Sequence, residues 1–244
     1  MDKLALICMT AACALLAGCF DNWGRPADAT AVTSLKELTA TNRAEVTRLY
    51  LRGSKETIAD DSFADLPKLR ELDLSELKLK KLPPSVLSLK TLKTLYLARN
   101  EFEAVPDGLA QLPELTYLNM DGNRLASVPA SLAGATRLRW LRLNENSIHE
   151  LPKELAAGPE VVKEWPLLED LLLDSNPISA LPDWVTQLPK LKSVSLANCK
   201  LTKLPDNLSG WRKLESLVLS GCPISADEAK RIRRELGDDV AVVF

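Results

Sequence analysis

The stretch LKTLYLARNEFEAVP, Leu92 to Pro106, decides how this chain folds. With Leu92 as position zero, apolar residues fall at +3 (Leu95), +5 (Leu97), +10 (Phe102) and +13 (Val105). An asparagine stands at +8 (Asn100) and a proline at +14 (Pro106). The frame restarts 23 residues later at Leu115 and again at Leu138, and runs backward to Leu69. After one interruption it resumes at Leu168, Leu191 and Leu214, and a degenerate copy begins at Val46. Apolar residues at 0, +3 and +5 make a short strand with its leucines on one side. A strand of about five residues cannot bury that side alone, whereas stacking identical units into a parallel ladder does.

The period and the L-x-x-L-x-L-x-x-N core resemble leucine-rich repeats, over roughly residues 46–224. The resemblance implies an α/β solenoid: a right-handed horseshoe with a parallel concave β-sheet, an irregular or 3-10 convex side, and helical caps. It also implies that each +8 amide lies inside the turn and bonds backbone groups of neighbouring turns. Proline at +14 (Pro83, Pro106, Pro129, Pro152, Pro182, Pro205) removes an N–H where the convex side has no ladder to feed. Leu77 stands at +8 in the repeat from Leu69; Asn100, Asn123, Asn146 and Asn176 follow, then Cys199 and Cys222. The two cysteines read either as small buried thiols or as a disulfide between adjacent turns.

The flanks divide as follows. Lys3 precedes an apolar run from Leu4 to Ala17 that is short for a membrane span and ends in Leu-Ala-Gly-Cys19. This resembles a bacterial lipobox. Residues 1–18 then form a lipoprotein signal peptide, and Cys19 becomes the lipidated N-terminus, with Phe20 pointing to the outer membrane. The other reading is an ordinary secretory signal. Residues 19–32 read as a tether. Residues 33–45 read as an N-terminal cap helix, opened by a capping box Ser34–Glu37. The repeat from Leu138 is seven residues longer than its siblings, which places an insertion at 156–164 on the convex side. Residues 225–244 read as a C-terminal cap, with a helix from Ser225 to Leu236 whose Lys230, Arg231, Arg233 and Arg234 face water, and a last strand from Val240.

Positions +2, +4 and +6 point away from the leucines and form the concave face. Tyr117, Trp140 and Asp170 stand at +2, Tyr96, Asn119 and Arg142 at +4, and Asp121, Asn144 and Asp174 at +6. Farther along, the face turns to Ser, Ala and Val. Aromatic and arginine side chains bury much area and keep a polar handle, as interface anchors do. Tyr96, Tyr117, Asn119, Asp121, Trp140, Arg142, Asn144 and Asp174 are therefore the expected contacts for a protein or peptide partner. The alternatives are an envelope scaffold without a discrete ligand and a secreted adhesin or effector.

Other classes find little support. A formal charge of −2 provides no basic stripe for nucleic acid. The one histidine, His149, lies at +11 with no nucleophile or metal-ligand partner, and no phosphate-binding glycine loop occurs. The expectation is no catalytic site, no metal and no cofactor, in a monomer held to the bacterial envelope.

Overall fold

The computed structural model describes residues 30–153 and 165–244. The signal peptide, Cys19, the first part of the tether and the 156–164 insertion lie outside the described residues. Among the described residues, ten parallel strands form one sheet in strict chain order. They are β1 (Ala31–Val32), β2 (Arg48–Tyr50), β3 (Glu71–Asp73), β4 (Thr94–Tyr96), β5 (Tyr117–Asn119), β6 (Trp140–Arg142), β7 (Asp170–Leu172), β8 (Ser193–Ser195), β9 (Ser216–Val218) and β10 (Ala241–Val243). From β2 to β9 each strand is the +2 to +4 segment of one repeat, paired +2 to +2 with the next.

The leucines do what their spacing requires. Leu95, Leu97, Leu118, Leu141, Leu171 and Leu217 are at most 1% exposed. The convex side is built of 3-10 turns, three of which, Pro84–Ser88, Ala130–Gly134 and Asp183–Gln187, follow directly on the +14 prolines Pro83, Pro129 and Pro182. Three tryptophans fill this side. Trp165 donates its indole N–H to Leu132 O, Trp184 to Pro152 O and Trp211 to Val185 O, so each large ring is buried with its polar atom satisfied.

The asparagine ladder is fully bonded. Asn146 donates through Nδ2 to Met120 O of the preceding turn and Leu143 O of its own, both at 3.0 Å, and accepts Leu125 N–H at 3.0 Å. Asn123 and Asn176 repeat this pattern. Where cysteine replaces asparagine, the thiol keeps the donor half. Cys199 Sγ lies 3.4 Å from Leu173 O and Cys222 Sγ 3.0 Å from Leu196 O, each the +5 carbonyl of the turn before. Both thiols are free, which settles the sequence alternative against a bridge. Just before the ladder, position +7 is left-handed in all eight repeats: Gly53, Glu76, Arg99, Gly122, Glu145, Ser175, Asn198 and Gly221 have φ between 53° and 74°.

The N-terminal end departs from the sequence reading, and the C-terminal end departs in one residue. No α-helix forms over 33–45. Ser34 Oγ accepts Lys36 N–H and donates to Glu56, while Glu56 also accepts Leu35 N–H. Asn42 ties Thr39 N–H to Glu37 O. These local bonds give two short 3-10 turns, Leu35–Glu37 and Arg43–Glu45. The sheet edge is covered instead by β1, which occupies residues assigned to the tether and pairs with β2. At the other end helix α1 (Ala226–Leu236) starts at Ser225, whose Oγ accepts Glu228 N–H, and stops at Gly237 with φ 72°. Arg231 does not face water as expected. Its guanidinium reaches Leu204, Pro205 and Asp206 carbonyls and pairs with Glu228 and Glu235, which clamps α1 to the last convex turn.

Candidate functional site

A strand of three residues has too few ladder positions for the N–H at +6. Side chains supply the acceptors. Asp73 Oδ1 accepts Ser75 N–H, and Asn119 Oδ1 accepts Asp121 N–H, both at 2.9 Å. In the fifth, sixth and seventh repeats the acceptor comes from the +6 residue one turn back. Asp121 takes Asn144 N–H at 2.8 Å, Asn144 takes Asp174 N–H at 2.8 Å, and Asp174 takes Ala197 N–H at 2.7 Å. Four of the predicted contact residues, Asn119, Asp121, Asn144 and Asp174, are thus backbone braces along the rim of the concave face. The run of Asp121, Asn144 and Asp174, two residues beyond β5, β6 and β7, was the sequence signal for this role.

Arg142 closes on Asp121, with Nε at 2.8 Å and Nη2 at 2.7 Å from Oδ2. Its guanidinium also bonds the Tyr117 phenol. Burial raises the Asp121 carboxyl above its ordinary range despite Arg142. The Tyr96 and Tyr117 rings pack at 5.2 Å between centroids and 51° between planes, and burial pushes both phenols upward. Trp140 stands beside Tyr117 in the register. The Arg139 guanidinium lies 5.0 Å from the Trp140 ring, within reach of a cation–π contact. All three rings therefore lie on the concave side, half-buried, in a continuous patch over β4, β5 and β6.

Asp170 was a concave position but not an expected contact. It is 9% exposed. Its carboxylate accepts the Trp140 indole N–H. Burial, then the neighbouring Glu169 charge, push it up to about 6, against the pull of Lys192. Arg139 and Lys192 both pair with Glu169 at the strand edge.

The leucine-rich repeat family model matches residues 69–125 and 166–224. The ladder of strands and buried asparagines is that family's geometry: the chain is a leucine-rich repeat protein, of a class that usually serves as a protein-interaction scaffold. Among solved structures it is similar to a leucine-rich repeat protein of Leptospira interrogans, at 24% identity over 82% of this chain and 73% of that one, with a TM-score of 0.40. It is also similar to an internalin from Listeria monocytogenes, at 22% identity over 83% of this chain and 62% of that one, with a TM-score of 0.54. No curated protein matches it in sequence.

Proposed function

We propose that this solenoid is a recognition module of the bacterial envelope, anchored through a lipid on Cys19 and binding a protein or peptide partner through its concave face. The observation that carries the binding reading is the continuous half-buried patch of Tyr96, Tyr117 and Trp140. Rings on a rigid sheet lose little entropy when a partner covers them, and Arg142, braced by Asp121, offers polar orientation at their edge. The braced Asp and Asn rim keeps that sheet in one shape, so the site is formed before the partner arrives.

A photocrosslinking residue at position 117, in native envelopes, tests the binding reading. A discrete adduct that disappears with Trp140→Ala supports it; absence of any adduct from position 117 overturns it. Mass spectrometry of the mature N-terminus tests the anchor. An acylated Cys19 supports it, and an unmodified or differently cleaved terminus favours a released adhesin or effector.

A further inference from the structure

The concave face is stepped. Tyr117, Trp140 and Arg142 make a ridge over β5 and β6. Beyond it, β8 and β9 and the residues just after them carry Ser193, Ser195, Ala197, Ser216, Val218 and Ser220. The surface drops there to a floor of small side chains about two strand spacings, roughly 10 Å, across. At the foot of the step stand two carboxylates, Asp170 and Asp174.

The charges at this foot are unbalanced. The cations nearest in register already face other partners: Arg142 closes on Asp121, while Arg139 and Lys192 close on Glu169. Asp170 is nine-tenths buried and takes an indole N–H. Asp174 accepts from Ser195 Oγ and Ala197 N–H, both on Oδ1. None of these donors carries a charge. Lys192 pulls on Asp170 and Arg142 on Asp174, but burial outweighs both, so an incoming cation gains more there than at an exposed site. The indole wall suits the aliphatic stem of a long basic side chain. An acidic group would meet two like charges, and a neutral one would leave the carboxylates uncompensated.

We infer that the partner presents a lysine or arginine, lying across the serine floor with its stem against Trp140 and its charge at Asp170 and Asp174. This rests on the concave docking reading above and assigns it a chemistry and a location. The fold itself asks for no acid at this position, since the same column holds Thr94, Tyr117, Ser193 and Ser216 with the strand unchanged.

A displayed library of random heptapeptides, selected on the full-length chain, tests it. Recovered peptides should be rich in lysine or arginine. Binding of one such peptide should fall about tenfold, or about 1.4 kcal/mol, with Asp170→Asn. Replacing its basic residue by norleucine should cost the same factor, and combining the two changes should cost no more than either alone. Circular dichroism of the Asp170→Asn chain controls for folding. Peptides that need Trp140 but lack basic residues, or basic peptides indifferent to Asp170→Asn, overturn this inference and leave the docking reading standing. Selection that yields nothing sensitive to Trp140→Ala overturns both.

Discussion

At the scale of single residues, the +8 position shows how much one side chain can hold. Asn146 satisfies carbonyls of two turns and an N–H of the preceding one, all buried. Asn146→Ala leaves these groups unpaired and should destabilise the chain by about 2–3 kcal/mol. Asn146→Cys should cost less, because a thiol there keeps the donor to Met120 O as Cys199 does to Leu173 O. Urea titration of both variants checks the order; equal losses would show that the donor bond contributes nothing. Asp170 gives a prediction of opposite sign. Its folded value, about 6, lies above the ordinary 3.8, so the folded chain holds this proton more tightly than the unfolded one. The stability from that proton is complete below the unfolded value and lost as pH rises through about 6. Asp170→Asn should therefore stabilise the chain by about 2–3 kcal/mol near neutral pH and by almost nothing near pH 4. Urea midpoints of the two chains across that range measure the difference.

At the scale of elements, local chemistry and tertiary contact compete differently at the two ends. The Ser225 cap, the apolar Ile232 and Leu236, and Gly237 all agree on one helix, and α1 forms. At the N-terminus a similar Ser-x-x-Glu pattern yields 3-10 turns, because Glu56, 22 residues away from Ser34, captures the serine hydroxyl and the following N–H. A pattern of four residues carries no trace of that distant competitor. Arg231 is the corresponding case in α1: the neighbouring cations Lys230, Arg233 and Arg234 are exposed, but the last convex turn offers it three carbonyls. Arg231→Ala should loosen α1 from the solenoid, with amide exchange over 226–236 accelerating about tenfold or more, while exchange in β4 to β7 stays unchanged. Uniform acceleration along the whole chain would show that the cap is not a separate unit.

At the scale of the whole molecule, each repeat touches its neighbours, so stability accumulates turn by turn. Ion pairs run between turns on the flanks: Glu45 with Lys68, Glu76 with Arg52 and Arg99, Glu101 with Arg124, and Glu114 with Arg137. Such exposed pairs contribute little each, and the buried leucines and asparagines carry the stack. The concave rings are peripheral to that stack. Tyr117→Ala combined with Trp140→Ala should shift the urea midpoint little and abolish partner capture. A loss of several kcal/mol would place the rings in the framework rather than at an interface.

The register, the ladder of strands and the side on which each aromatic stands were legible in the sequence, because a side-chain period of two and a repeat of 23 leave one way to bury the leucines. What each concave residue does was not. Asp121, Asn144 and Asp174 read from the sequence as partner contacts alone, whereas they also brace N–H groups of the turn that follows, a duty created by how short the strands are. Asp170 looked ordinary, and its burial depends on the neighbours that Trp140 and the strand edge bring to it. Periodicity decides which face a residue occupies; hydrogen bonding and desolvation, set only when the turns stack, decide whether that residue is occupied within the fold or left to meet a partner.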